Sequence, residues 1–302
     1  MSRMLVTGGA GFIGTSLCRR LMAEGHEVVV ADLNPPRTEV TSAVEGDLRD
    51  PSVLDKALAE GTEAVIHLAA ATSVLQSVKD PVNVYRSNVE LMQNLLESAR
   101  RLGVASVVFA STNAVVGSGA GGGLIDERSP LVPLTPYGAT KAAGEMLMSA
   151  YHHAYGLNAS ALRLTNVYGP GMWVKDTMVA RIMKAARAGT GIRIHGDGLL
   201  SRDYVYIDDV VGAFVSGLAP AASGPALPPT VVVGSGVSVT VNDLHRLACQ
   251  ATGVDIPAEH VEGPPGEMRA VVVDRSLGAG LWPDPPVQLS AGLVATWRAW
   301  PE

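Results

Sequence analysis

Early in the chain an apolar run, Met4-Leu-Val-Thr7, meets a glycine-dense turn, Gly8-Gly9-Ala10-Gly11-Phe12-Ile13-Gly14, and then a helical pattern carrying Leu17, Leu21 and Met22. A strand that turns through glycines into a helix leaves few folds open. Glycine permits the tight turn, lets backbone approach a pyrophosphate closely, and lets the helix pack against the strand. The helix N-terminus then offers free N–H groups and a partial positive charge to phosphates. Gly9, Gly11 and Gly14 fit a G-x-G-x-x-G spacing, and Gly8, Gly11 and Gly14 equally fit G-x-x-G-x-x-G. Both readings predict a dinucleotide cradle.

The next segments repeat the strand–helix theme. Glu27-Val-Val-Val-Ala-Asp32 reads as a second strand closed by an acid. A carboxylate there accepts hydrogen bonds from ribose hydroxyls and repels a 2′-phosphate, which favours NAD over NADP. Arg37, close by, would soften that preference. Ala43 to Leu48 reads as a third strand running into a turn, with Asp47 a candidate for the adenine amino group. Ala64 to Leu68 is a fourth strand, followed by Ala69, Ala70 and Ala71, small enough to let a cofactor approach. His67, at its end, reads as a structural histidine rather than an acid/base. One long helix is expected from Val82 to Leu102, with Asn88 inside it. Ser106 to Ser111, continuing into Thr112, is the fifth strand, and Ser160 to Leu164 the sixth; the glycine-rich loop from Val115 to Gly123 reads as mobile.

Nearly all-apolar strands alternating with helices predict a parallel sheet covered on both faces. Ligands of such sheets lie beyond the carboxyl ends of the strands. Gly8 to Gly14, Asp32, Ala69 to Ala71, Thr112 and Asn166 all follow predicted strands, which argues for one continuous site.

Beyond Leu164 the pattern changes. Asn166 to Pro170 reads as a turn, Asp176 to Ala188 as an amphipathic helix, and Ile192 to His195 as a short strand. Ser201 to Val210 leads into another helix, Thr230 to Val233 is a strand, and Thr240 to Thr252 a helix capped by Thr240 or Asn242. Leu293 to Trp300 reads as a closing helix.

Tyr137 and Lys141 stand at i and i+4 in a predicted helix from Thr135 to about Tyr155, and so share one face. A free tyrosine titrates near ~10 and is a poor base at neutral pH. A neighbouring ammonium favours the phenolate, which makes the pair a candidate general base.

The chain's 302 residues, 47% apolar and 17% charged, suit a globular protein. A formal charge of −6 argues against nucleic acid or an anionic membrane as partner. No apolar run reaches the ~18 residues of a membrane span. The N-terminal segment lacks a signal-peptide pattern. Cys18 and Cys249, in no metal-like spacing, read as buried free thiols in a reducing cytoplasm. No metal is expected.

Taken in order, Thr7-Gly-Gly-Ala-Gly-Phe-Ile-Gly14, His67-Leu-Ala-Ala70, Ser111-Thr112, Tyr137-x-x-x-Lys141, Arg163-x-x-Asn166-Val-Tyr-Gly-Pro170 and Arg202-Asp203-Tyr204 resemble the extended short-chain dehydrogenase/reductase family. The resemblance is to its NAD-dependent epimerase/dehydratases, such as the nucleotide-sugar 4-epimerases, and covers nearly the whole chain. It implies a Rossmann-type doubly wound parallel sheet with a smaller C-terminal α/β substrate domain. Residues 1–165, with a return segment near 204–235, would form the NAD-binding domain; 166–203 and 236–302 would bind substrate.

The resemblance also implies roles. Tyr137 would be the acid/base, Lys141 would lower its pKa and hold the nicotinamide ribose, and Thr112 would hydrogen-bond the reacting hydroxyl. Gly8, Gly11, Phe12, Ile13, Gly14, Asp32, Asp47, Leu48, Leu68, Ala69, Ala70 and Ser111 would line the cofactor. Asn166 and Arg202 would hold the substrate diphosphate, an arginine fork suiting phosphate. Thr72 and Ser73, with Gln76, the Gly117–Gly123 loop and Trp173, would shape the sugar site. A homodimer through the Asn88 and Tyr137 helices is implied too.

Two departures bear on the reaction. Sugar 4,6-dehydratases of this family carry Asp-Glu after the catalytic Thr, whereas Asn113 and Ala114 stand here. Elimination by that route is disfavoured. Many 4-epimerases place a diphosphate-binding arginine where this chain has Pro264; Arg269 is the candidate substitute. The expectation is an NAD-dependent epimerase of a UDP- or dTDP-hexose or hexuronate. An NAD-consuming dehydrogenase or ketoreductase of the same fold is the alternative, and a silent NAD-binding module a third.

Overall fold

The computed structural model describes residues 2–117, 124–218, 228–262, 271–279 and 285–301. Most of the expected mobile loop, and Arg269, lie outside these residues. The chain divides into two compact units, Met1–Gly119 with Glu127–Leu164 and Val211–Val231, and Ala120–Asp126 with Thr165–Val210 and Val232–Glu302.

The first unit is built on strands β1 (Arg3–Thr7), β2 (Glu27–Asp32), β3 (Ser42–Glu45), β4 (Thr62–His67), β5 (Ser106–Thr112) and β6 (Asn158–Leu164). Their order is β3-β2-β1-β4-β5-β6, with Thr230–Val233 outside β6. The pairs β1–β2, β1–β4, β2–β3, β4–β5 and β5–β6 all run parallel. The order reverses at β1, so the crevice where a dinucleotide lies in such sheets opens at the ends of β1 and β4. Val- and Ile-rich strands are buried on both faces, as parallel strands must be. On one face Leu5, Val29, Val65 and Val107 pack with Leu95, Leu96 and Met148 in one apolar cluster. Each such side chain contributes roughly 1.5–3 kcal/mol by leaving water.

The helices have legible starts. α1 (Phe12–Ala23) begins at Gly11; α2 (Pro51–Ala57) is capped by Asp50, whose carboxylate accepts from the Ser52 N–H. α3 (Val74–Lys79) is capped by Ser73. The expected helix from Val82 to Leu102 is instead α4 (Pro81–Tyr85), a π turn (Arg86–Glu90) and α5 (Leu91–Arg101). Asn88 sits in that π turn. Its side chain accepts from the Ala71 N–H at 2.8 Å and donates to Thr140 Oγ1 at 2.9 Å, long-range bonds that no local pattern announces. α6 (Pro136–Tyr155) has Thr135 as cap and proline in its first turn.

In the second unit the expected turn at Asn166 is a short strand, β7 (Asn166–Tyr168). It pairs in parallel with Ser201–Tyr206, which pairs antiparallel with Ser238–Thr240 on its other edge. The reason is the partner strand, which supplies hydrogen bonds that Asn-Val-Tyr cannot find locally. Ile192–His195 and Ala258–Val261 form a separate parallel pair. The helix Val241–Thr252 takes Thr240 as its cap. Among the described residues no helix is long and apolar enough to cross a membrane, and no cluster of potential metal ligands occurs.

Candidate active site

The glycine turn forms a cradle. Gly8 has φ +73°, and a Cβ there would lie 2.7 Å from the Ala69 nitrogen. The first turn therefore sits directly on the residues that follow β4. A Cβ on Gly14 would stand 2.4 Å from the Gly8 carbonyl oxygen, so α1 reaches the turn only because that position is glycine. Gly11 caps α1 without a side-chain hydrogen bond, and no acid lies in the first turn. The N-terminal amides are left to a ligand, and this geometry fits a pyrophosphate. Phe12 and Gly14 are buried and Ile13 half-buried.

Asp32 closes β2 beside the cradle. Its carboxylate accepts from the Ala10 N–H at 3.1 Å and from the Asn34 N–H at 3.0 Å. Asp47 is gripped by the Arg49 guanidinium, whose Nε lies 2.9 Å from Oδ2, and this holds its carboxyl below the usual range. Its carboxylate already has a partner, whereas Leu48 is buried beside it. Leu68, Ala69 and Ala70 are half-buried and Thr72 and Ser73 exposed. The Ser73 hydroxyl accepts from the Gln76 N–H, so it serves the α3 cap.

His67 is neutral. Its Nδ1 lies 2.8 Å from Thr7 Oγ1, its ring stacks on Phe109, and burial with the nearby Lys141 charge pushes its pKa down to about 3. The structural reading of this residue holds.

The candidate catalytic residues Thr112, Tyr137 and Lys141 stand where β5 ends against α6. Thr112 stands against the Tyr137 phenol, close enough to lower its pKa, and its Oγ1 accepts from the Ala114 N–H at 3.2 Å. Lys141 is buried; its Nζ donates to the Ala110 carbonyl at 2.8 Å and lies 4.5 Å above the Phe109 ring. Burial pushes the Tyr137 phenol up to about 12, against the Thr112 bond that lowers it, and pushes Lys141 down to about 7. The expectation that Lys141 itself holds the phenol low is therefore corrected for the bare protein. Desolvation acts against charge on both groups, and the ammonium is engaged by a backbone carbonyl. The Ser111 hydroxyl does not face outward. It donates to Glu145 Oε1 at 2.5 Å, and Glu145 pairs with Arg163 at 2.8 Å. Only the Ser111 backbone is left for a cofactor.

In the second unit Asn166 is exposed and donates from Nδ2 to the Asp203 carbonyl at 2.9 Å. Arg202 is half-buried, with Nη1 on the Ser201 carbonyl at 2.9 Å. The Asp203 carboxylate is held by Thr165, Ser235 and the Gly236 N–H, a structural role for the acid of that motif. Trp173 packs edge-on against Trp300, 6.5 Å between centroids.

Sequence reasoning left Glu145 and Asn88 without a place in the site. Glu145 had a signal: an acid at i+8 from Tyr137 and i+4 from Lys141, on the face the helix buries. Asn88 had none.

The sequence matches the model of the NAD dependent epimerase/dehydratase family over residues 4–234. It is 36% identical over 311 residues to a UDP-glucose 4-epimerase of Mycolicibacterium smegmatis, covering 97% of each chain. It is 33% identical to a dTDP-glucose 4,6-dehydratase of Streptomyces griseus, over 98% of this chain and 93% of that one. The crystal structure of Thermus thermophilus UDP-glucose 4-epimerase, a complex with NAD, superposes with a TM-score of 0.88 at 34% identity, covering 98% of both chains.

Proposed function

The chain belongs to the NAD-dependent epimerase/dehydratase family, and we propose that it is an NAD-dependent nucleotide-sugar 4-epimerase acting through a transient 4-keto sugar. The observation that carries this is the Thr112–Tyr137 pair with Lys141 behind it, followed by Asn113 and Ala114. One hydroxyl can be oxidised there, and no ionisable side chain follows Thr112 to drive elimination.

The glycine cradle and Asp32 would hold the dinucleotide. When bound, NAD would supply a reversible hydride acceptor for the sugar carbon. Tyr137 takes the proton of the C4 hydroxyl and later gives it back. Thr112 orients that hydroxyl, and Lys141 fixes the ribose. Burial pushes the Tyr137 phenol up to about 12 and Lys141 down to about 7, so desolvation opposes charge on both. Asn166 and Arg202 would take the diphosphate, Arg269 assisting, while Thr72 and Ser73 would meet the sugar. UDP- and dTDP-sugars, hexose or hexuronate, are the substrate class.

Val78, Val82, Tyr85, Met146 and Tyr155 stand exposed along α3, α4 and α6. An apolar surface of this kind supports a homodimer through these helices. Two cysteines, neither in a disulfide, are compatible with the cytoplasm.

Incubation with UDP-glucose, UDP-glucuronate and dTDP-glucose, with products separated by chromatography, tests the reading. A C4 epimer without net NADH is expected. Stoichiometric NADH, or no epimer from any of the three, overturns it.

A further inference from the structure

Three successive residues at the end of β5 are each met by a residue of α6, and the three helix residues are four apart. Tyr137 stands against Thr112, Lys141 donates to the Ala110 carbonyl, and Glu145 accepts from the Ser111 hydroxyl. The first two contacts belong to the chemistry already described. The third does not. Glu145 is 5% exposed and Ser111 3%, so neither meets solvent.

Glu145 is also tied across the sheet. Arg163, itself 4% exposed, donates to it from Nε at 3.1 Å and from Nη2 at 2.8 Å. Arg163 stands opposite Ser111 in the β5–β6 register. Its Nη1 reaches the Glu127 carbonyl at 3.3 Å. One carboxylate on the Tyr137 helix thus fixes two neighbouring strands and the chain leading into that helix. Apolar packing of similar volume would stabilise such a junction as well as a buried ion pair does. What a satisfied polar network adds is a single geometry.

We propose that Glu145 is a positioning residue: through Ser111 it fixes the end of β5 in the register that brings the Thr112 hydroxyl onto Tyr137. Ser111 is covalently next to Thr112, so a shift of one moves the other. A misplacement of about 1 Å at a reacting centre costs on the order of a hundredfold in rate. The charged and titratable groups facing these contacts are Arg163 at Glu145, Lys141 on the Tyr137 helix, and neutral His67 across Phe109. The proposal rests on the 4-epimerase reading only for its activity measurements.

The test uses the full chain loaded with NAD. Ser111→Ala removes the hydroxyl and leaves the Glu145–Arg163 pair intact. The expected result is a kcat lower by about tenfold or more, with the sugar-nucleotide KM and the NAD affinity within about twofold. The pH limb of kcat carried by Tyr137 should move upward, because the Thr112 bond that lowers its pKa is loosened. Ser111→Thr should restore both. Glu145→Met, of similar volume but without an acceptor, should act like Ser111→Ala, and the double variant should add little to either, as for two ends of one contact. If Glu145→Met does not fold, the Ser111 pair of variants still decides. A Ser111→Ala protein with unchanged kcat and pH limb overturns the proposal. So does one whose loss follows weakened NAD binding. If the wild-type protein turns over no nucleotide sugar, the epimerase reading fails by itself. The positioning role is then read from the Tyr137 phenol by ultraviolet difference titration against Tyr137→Phe. An upward shift of its midpoint in Ser111→Ala supports the role, and an unmoved midpoint overturns it.

Discussion

Lys141 Nζ lies 2.8 Å from the carbonyl oxygen of Ala110, a hydrogen bond that holds the ammonium to the strand. Burial then dominates the phenol, which is pushed up to about 12 against the opposing Thr112 contact. Bare protein should therefore show no Tyr137 phenolate at neutral pH, and added NAD should bring its titration down. Ultraviolet difference titration of wild type against Tyr137→Phe, with and without NAD, measures both states. The same variant should lose about 10²–10⁴-fold in kcat, the range for a removed general acid–base, while calorimetry finds NAD binding intact. Full turnover in Tyr137→Phe would remove the mechanism.

Asp32→Ala should weaken NAD and admit NADP. The carboxylate joins the turn at Ala10 to the end of β2, where ribose hydroxyls would find it. Hydrogen bonds to a charged acceptor are worth about 1.5–3 kcal/mol, so NAD affinity should fall roughly tenfold to a hundredfold. NADP affinity should rise once the repelling charge is gone. Fluorescence titration with both dinucleotides checks the pair of shifts, and unchanged binding of both would refute the role.

His67 should make the protein sensitive to acid. Its pKa is lowered to about 3 in the fold, against about 6.5 in an unfolded chain. Between those values the unfolded state binds the extra proton, so stability is complete above pH 6.5 and falls as the pH drops toward 3. The loss from this group approaches the order of 5 kcal/mol. His67→Asn, which can still pair with Thr7, should flatten the denaturation midpoint across this window. A variant as acid-sensitive as wild type would show that other groups carry the effect.

Tyr85→Glu and Met146→Glu place charge on two exposed apolar side chains of α4 and α6. If these helices pair two copies, both variants should sediment as monomers with NAD binding retained. A wild-type protein that is itself monomeric, or variants that stay dimeric, would dismiss that interface.

Much of this was visible in the order of residues because it is local. β2 runs from Glu27 to Asp32 as its apolar run requires, and α6 starts at Thr135 and Pro136 as capping chemistry requires. Where the outcome depended on partners far along the chain, local pattern was silent. Asn88 opens a π turn because Ala71 and Thr140 take its amide. Asn166 to Tyr168 is a strand because Tyr204 to Tyr206 lies alongside. The same limit applied to charge: the i,i+4 spacing placed Tyr137 and Lys141 on one face, but desolvation, which the spacing does not contain, raises the one pKa and lowers the other.

Gly8→Ala is the sharpest test of the cradle. At φ +73° an L residue is strained wherever it stands, and here its Cβ would lie 2.7 Å from the Ala69 nitrogen and 2.8 Å from the Leu68 carbonyl carbon. Both obstacles are backbone, so neither can rotate away. Strain of this kind costs about 1–3 kcal/mol, and relief requires the turn to lift from the end of β4. That movement would widen the gap the dinucleotide must span. The variant should lose a few degrees of melting temperature and most of its NAD affinity, measured by calorimetry on the same sample. Gly25→Ala supplies the control, since Gly25 also has positive φ (+80°) but its Cβ would meet nothing within 4 Å. It should share the backbone penalty and keep NAD. If both variants bind NAD alike, the close approach at Gly8 has no part in holding the cofactor.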